Sequence, residues 1–220
     1  TDGSTKQNNE ANTIETYKNN SVESEISLNS SISKNLSGKI SIDGGIGGKL
    51  VKSDNDIYSE QDTSNAGYII PETKNNIVIN SFKLSGYLNV TSKLFNEKLL
   101  LNTGIRYDYF DYITNPGSVS PRAGISYKLT PVTSINASAG IFRQNPEYIW
   151  LATDQSNKDL NNLRADHYIF GIDHFFSSDL RMTAEIYEKN YSEYPVSVDN
   201  PTYILVNGGA EYGPNFVTKA

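Results

Sequence analysis

Apolar and polar residues alternate with a period of two along most of this chain. From Val22 to Ser33 the even positions read Val22, Ser24, Ile26, Leu28, Ser30 and Ile32, and the odd positions carry Glu23, Glu25, Ser27, Asn29, Ser31 and Ser33. Successive side chains of a strand point to opposite faces, so this pattern predicts a strand with one apolar and one wet face. Lys34 to Gly38 reads as a turn. The next run sets Ile40, Ile42, Ile46 and Leu50 against Lys39, Asp43 and Lys49. A third strand places Val78, Phe82, Leu84, Leu88 and Val90 against Ser81, Lys83, Ser85, Asn89 and Thr91. A fourth has Leu99, Leu101, Ile105, Tyr107 and Tyr109 opposite Asn102, Arg106 and Asp108. The fifth alternates Ala123, Ile125, Tyr127 and Leu129 with Arg122, Gly124, Ser126 and Lys128. The sixth sets Ile135, Ala137, Ala139 and Ile141 against Ser134, Asn136, Ser138 and Gly140. A seventh, 166–176, is apolar on both faces. The eighth pairs Leu180, Met182, Ala184 and Ile186 with Arg181, Thr183, Glu185 and Lys189. A ninth is expected over 203–212, and a short strand before Thr16 would make ten.

The connections alternate in length. Short turns follow strands one, three, five and seven, at Lys34–Gly38, Phe95–Glu97, Thr130–Val132 and Ser177–Asp179. Long polar loops are expected at about 53–76, 143–164 and 191–202, and the polar start, 1–20, reads as an extracellular loop or a cut end. The strands are roughly 10 to 15 residues long, against a usual length of ~5–6. A tilted membrane-crossing strand needs about 9–11. Long strands, short turns on one side and long loops on the other describe a transmembrane β-barrel. The predicted fold class is therefore all-β: a single unit over 1–220, an antiparallel up-and-down transmembrane β-barrel segment of about nine or ten strands, incomplete as a barrel.

Composition changes the picture in one respect. A mean hydropathy of −0.49 over 220 residues suggests a soluble protein. In a barrel that value is the average of one lipid face and one wet face, so it argues against membrane helices and not against the membrane. The net charge of −6 and pI near 5.0 disfavour a nucleic-acid partner, which needs a basic surface. No cysteine is present, which removes disulfide scaffolds and thiolate metal sites. Fifteen tyrosines are unusual. Tyr107, Tyr109, Tyr112, Tyr127, Tyr187, Tyr191 and Tyr203 fall near expected strand ends, where an aromatic girdle would lie.

Several segments resemble the barrel of TonB-dependent outer-membrane receptors. They are Gly104-Ile105-Arg106-Tyr107-Asp108, Ser120-Pro121-Arg122-Ala123-Gly124-Ile125-Ser126-Tyr127, and Ala137 to Pro146, followed in order by Leu160 to Tyr168, Glu185 to Tyr191, and Val206 to Ala210. The resemblance implies the middle of a 22-stranded barrel around a plug domain. It also implies location in the cell outer membrane of a Gram-negative bacterium, and energised uptake of a large scarce solute such as an iron chelate, cobalamin or glycan. The implied partners are outer-membrane lipid, the plug domain, the TonB complex and a surface lipoprotein. No enzyme activity, cofactor, catalytic residue or metal site is expected.

Two groups of residues are candidates for function. Arg106, Asp108, Arg122, Lys128, Arg181, Glu185 and Lys189 fall on the wet faces and would line the lumen. In the family such residues meet the plug, and Arg106 and Arg122 lie in the family-like segments. In the long loop after the sixth strand, Arg143, Asn145, Tyr148 and Trp150 form an aromatic and polar set suited to ligand contact. Tyr58 and Tyr68 belong to the earlier loop. His167 and His174, seven apart, fall on opposite faces of one strand. Gly44, Gly45, Gly47 and Gly48 lack the context of a phosphate loop and suit close approach of a neighbouring chain. The competing readings are a passive porin-like or structural barrel, complete in itself, and a soluble β-sandwich or carbohydrate-binding module.

Overall fold

The computed structural model describes residues 2–9, 12–63, 67, 69–70, 72–197 and 216–217. Nine strands form one antiparallel sheet: β1 (Asp2–Asn9), β2 (Asn12–Ser37), β3 (Ile40–Ser59), β6 (Thr73–Leu94), β7 (Leu99–Phe110), β8 (Gly117–Thr130), β9 (Thr133–Gln144), β10 (Leu163–Phe175) and β11 (Arg181–Ser192). Each pairs with its neighbours in chain order, from β1 at one edge to β11 at the other. Between β3 and β6 a small hairpin joins β4 (Asp62–Thr63) to β5 (Ile69–Ile70). After β11, β12 (Val196–Ser197) pairs with β13 (Phe216–Val217). A short helix, α1 (Tyr148–Thr153), and a 3-10 turn, Gln155–Asp159, lie between β9 and β10. No helix among the described residues is long and apolar enough to cross a membrane.

The strand register turns the alternating pattern into two continuous faces. Ile26 pairs with Leu50, Leu50 with Phe82, Leu84 with Tyr109, and Leu101 with Ile125. Ile125 pairs with Ala137, Ala137 with Phe170, and Phe170 with Ile186. This apolar band has nothing packed on it: Leu28 is 81 % and Ile46 72 % exposed. A soluble sheet would bury such a face. Tyr107, Tyr109 and Tyr127 lie on this face, as the girdle requires, and the Tyr109 ring stands 5.6 Å from Phe82.

Several expectations are corrected. The polar start is not a loop: it forms β1 and the first part of β2, paired from Asp2↔Asn20 to Asn9↔Asn12. The loop expected over 53–76 shrinks, because β3 runs on to Ser59 and β6 starts at Thr73. Asp54 and Asp56 suggested a loop by composition. They lie on one face of the extended hairpin, while Val51, Ser53, Asn55 and Ile57 on the other face are buried. Covered backbone must be hydrogen-bonded, and the ladder supplies the partners. Tyr58 accordingly belongs to β3. The loop expected over 143–164 begins after Gln144, ends before Leu163 and contains two helical turns. The one expected at 191–202 begins after Ser192. Tyr187 and Tyr191 do not join the girdle, since they pair with Ile169 and Ala165 on the opposite face. Tyr112 lies past β7, stacked 6.2 Å from Phe110. Tyr68, Tyr203, the expected ninth strand and Val206 to Ala210 lie outside the described residues.

The glycine-rich stretch of β3 has a packing cause. A Cβ on Gly45 would stand 2.5 Å from Cε1 of Tyr87, its cross-strand neighbour, and 3.0 Å from the Ser30 carbonyl oxygen. At Gly48 the nearest atom would be 3.6 Å away. Gly45→Ala is therefore expected to destabilise by about 1–3 kcal/mol, as overpacking does, while Gly48→Ala stays within about 1 kcal/mol of the parent. Urea-midpoint measurements on the refolded barrel in lipid check the pair.

Candidate functional site

The polar face carries the candidate residues. By register Arg106, Asp108, Arg122, Lys128, Arg181, Glu185 and Lys189 all lie opposite the apolar band. Two of these arginines are paired with carboxylates of the same face. Arg106 donates to both oxygens of Asp108 on its own strand, at 2.7 and 2.5 Å. Asp173 accepts from Arg181, from Asn136 at 2.7 Å and from Thr183 at 2.6 Å. Lys189 lies 5.4 Å from the Tyr187 ring centroid. His167 lies on this face with its ring tilted against Phe142, centroids 4.6 Å apart, whereas His174 falls on the apolar face and shares a 2.8 Å hydrogen bond with Thr133 Oγ1. Among the described residues no group of three or more His, Cys, Asp or Glu is placed to hold a metal.

At the loop end of the wall the β9–β10 connection folds back over the polar face. Leu151, Ala152 and Leu160 are fully buried there, packed with Val51, Ile79, Phe110, Ile113 and Tyr148. A six-residue helix is too short to be stable alone, so these contacts hold it. Tyr148 Oη donates to Glu25 Oε1 at 2.9 Å, and Lys49 donates to Glu25 Oε2 at 2.9 Å. The Lys83 ammonium sits 4.2 Å from the Tyr148 ring centroid and 4.3 Å from that of Phe110. Further along, Asn75 Nδ2 bonds the Thr153 carbonyl oxygen, and Thr114 Oγ1 donates to Asp159 at 2.6 Å. Asn157 Nδ2 donates to the Trp150 carbonyl oxygen at 2.7 Å and to Thr153 Oγ1 at 2.9 Å.

The four loop candidates do not converge on one exposed patch. Tyr148 is buried on Glu25 and Lys83. Trp150 is half-buried against the apolar cluster. Asn145 donates to Asn162 Oδ1 at 2.6 Å. Arg143 lies across the sheet on the apolar-band parity, opposite Arg164. The residues that the sequence did not single out are Glu25, Lys49, Lys83 and Phe110. Their signal was faint: Val51, Ile77 and Ile79 interrupt the otherwise polar face, which marks a place where something covers the wall.

Burial raises the Tyr148 phenol above its ordinary range, and the bond to Glu25 and the nearby carboxylates Glu23 and Glu147 add to the shift. A folded-state value above the unfolded one means that the neutral phenol stabilises the loop. That stabilisation is complete below pH ~10, the unperturbed value, and is lost as pH rises through the higher folded value. In an alkaline absorbance titration, subtracting Tyr148→Phe from the parent is expected to reveal a phenol that ionises only above the bulk of the tyrosines. A difference curve centred on ~10 would refute it.

Residues 1–214 match the family model for the TonB-dependent receptor-like β-barrel. The chain belongs to that family. TonB-dependent receptors are outer-membrane proteins, receptors and transporters rather than enzymes. The outer-membrane transporter YddB from Escherichia coli matches with a TM-score of 0.57 and 16 % identity, over 81 % of this chain and 27 % of that one. A ferric enterobactin receptor mutant from Pseudomonas aeruginosa, in complex with enterobactin, matches with a TM-score of 0.59 and 15 % identity, over 80 % of this chain and 29 % of that one. The copper transporter OprC matches with a TM-score of 0.59 and 13 % identity, over 81 % and 31 %. At these identities the likeness shows the fold. The chain spans less than a third of each of these receptors. A comparison with curated protein sequences finds no match.

Proposed function

We propose that this chain is a wall segment of a TonB-dependent receptor, closed by further strands around a plug domain and driving uptake of a large scarce solute through the TonB complex. The observation that carries this reading is the match of residues 1–214 to the family's β-barrel, together with a sheet that is open at β1 and β11 among the described residues and a polar face capped at one end by the β9–β10 loop. An open sheet edge is not tolerated in lipid, so in this reading further strands cover the edges left open among the described residues. Arg106, Asp108, Arg122, Lys128 and Glu185 line the lumen and face the plug. In this reading the solute, an iron chelate, cobalamin or glycan, meets the β9–β10 loop, where Trp150 is the half-exposed aromatic, while Tyr148 and Asn145 hold the loop in place through Glu25 and Asn162. A surface lipoprotein is a further partner in this reading. The structural neighbours named for enterobactin and copper support the transport class without selecting among solutes. The test is solute-limited growth of cells carrying the complete receptor. Uptake is expected to stop when the TonB gene is deleted. Uptake that persists at a rate linear in solute concentration would instead favour the passive porin.

A further inference from the structure

Two arginines interrupt the apolar side of the sheet at its loop end. Arg143 on β9 and Arg164 on β10 are register partners on the parity of the apolar band. Residues directly opposite in an antiparallel pair hold their Cβ atoms about 4.5–5.5 Å apart, and like charges there are destabilising. Among the described residues this is the one register pair of two cations on that parity. Only one of the two is neutralised. Asp166 accepts from Arg164 Nε at 2.8 Å and from its Nη2 at 2.9 Å, so both carboxylate oxygens are engaged. Among the described residues no carboxylate lies within ion-pairing distance of Arg143. Arg143 is half-buried, and its backbone N–H is pinned by donation to Ser120 Oγ at 3.2 Å. Nearer the middle of the band the same surface is hollowed. Ala123 pairs with Ala139, and Ala139 with Tyr168. With Pro121 and Ile141 they line a shallow depression of about 280 Å³. Tyr168 stands at its edge, half exposed.

We infer that this surface seats one phosphorylated glycolipid of the outer leaflet, with a phosphate between Arg143 and Arg164 and an acyl chain in the hollow over Ala123 and Ala139. The inference rests on the reading of the apolar band as the lipid-facing side and names the lipid chemistry at one point on it. Three observations select this occupant. The first is level. A strand rises ~3.4 Å per residue, which puts Ile141 about 7 Å and Ala139 about 13 Å from Arg143. A headgroup layer is about 5–8 Å deep, so the arginines stand among headgroups while the hollow meets the tops of the chains. The second is side. Barrels of this kind carry their longer loops outside the cell and their short turns in the periplasm, and the arginines flank the long β9–β10 loop. The outer leaflet there is built of phosphorylated glycolipid. The third is charge. Guanidinium groups match phosphate oxygens in two-point fashion, and an anion between the pair turns a repulsion into an attraction. Lys52 shares the parity and the loop end, but it faces Ser24 and Asn80 and has no cation opposite.

Native mass spectrometry of the complete receptor in detergent, titrated with bis-phosphorylated lipid A, tests this. The parent is expected to retain one lipid A. Arg143→Gln is expected to weaken retention by about tenfold or more, as loss of a charge-assisted hydrogen bond implies, and Arg143→Glu to weaken it further. Ala139→Phe fills the hollow while leaving both arginines in place, and is expected to weaken retention as well. Lys52→Gln is expected to bind as the parent does. Lipid A stripped of its phosphates is expected to bind the parent about tenfold more weakly or worse. Heat-modifiable gel migration shows that each variant has folded. If Arg143→Gln and Arg143→Glu retain lipid A as the parent does, the inference is overturned. It is equally overturned if inorganic phosphate binds with the same dependence on Arg143 while Ala139→Phe changes nothing, since the pair would then hold a free anion. Displacement of lipid A by an equal concentration of phosphatidylglycerol would also overturn it, since any anionic lipid would then serve. A parent receptor that stays monodisperse without detergent would sink the lipid-face reading itself.

Discussion

Ile46→Arg is expected to abolish assembly of this wall in the outer membrane, whereas Ser85→Lys, on the facing strand, is expected to assemble normally. Ile46 sits near the middle of the apolar run Ile40–Leu50 and is 72 % exposed, with Gly86 as its partner across β6. A cation placed there meets hydrocarbon. For a barrel the cost is about 2–4 kcal/mol near the bilayer midplane, falling toward zero at the interfaces. Ser85 pairs with Gly47 on one side and Asp108 on the other, on the lumen face. A lysine there gains an anionic neighbour and loses no lipid contact. The measurement is the fraction of heat-modifiable receptor in outer-membrane preparations, with refolding in lipid vesicles to give the free-energy difference. Equal loss in the two variants would mean that the exposed band does not face lipid. The same logic predicts little effect from charges near Lys52 or Asp54, which lie on the band's parity but past its loop-side end.

Leu151→Ala is expected to release the β9–β10 loop from the wall while leaving the barrel intact. Leu151 is fully buried in the cluster with Val51, Ile79, Phe110 and Leu160. Truncating a buried leucine costs about 2–5 kcal/mol. A six-residue helix has no reserve of its own, so the cost falls on the loop. Amide exchange over Trp150–Leu160 should accelerate by about thirtyfold or more, the equivalent of the lower bound at 1.4 kcal/mol per decade. Amides in β7 to β10 should keep their protection. At this interface Asn55 Oδ1, Ser81 Oγ and Asn157 Oδ1 are buried and make no hydrogen bond to another described residue. Exchange that accelerates equally in the strands would show that the loop is an integral part of the wall.

Much of this architecture was legible in the linear chain. Seven of the nine sheet strands follow from alternation and an eighth, β10, from its apolar run, because one face of such a wall is apolar and the other polar. The period of two therefore appears directly in residues such as Ile26, Leu28, Glu25 and Ser27. The assignment of Arg106, Asp108, Arg122 and Glu185 to one face followed from the same parity, since register conserves faces across every tight turn. The strand ends were less legible. Val51 to Ile57 carries Asp and Asn at a density typical of loops, yet these residues continue the ladder because β6 pairs with every one of them. Tyr187 and Tyr191 showed why composition misleads at interfaces: tyrosine serves either face, and only the pairing with Ile169 and Ala165 decides which.

What the linear chain could decide was the short-range consequence of alternation, namely the fold class, the two faces and their sign. The three-dimensional structure alone decided which distant groups meet. Tyr148 and Glu25 are 123 positions apart and bond at 2.9 Å because the β9–β10 loop folds back across the polar face. Arg122 acquires its place from Gly104, Gly140 and Asn89, each on a different strand. Such contacts depend on the sum of several registers and on a loop path, and no local pattern encodes either. Parity is a property of neighbours in sequence, whereas these contacts are a property of neighbours in space.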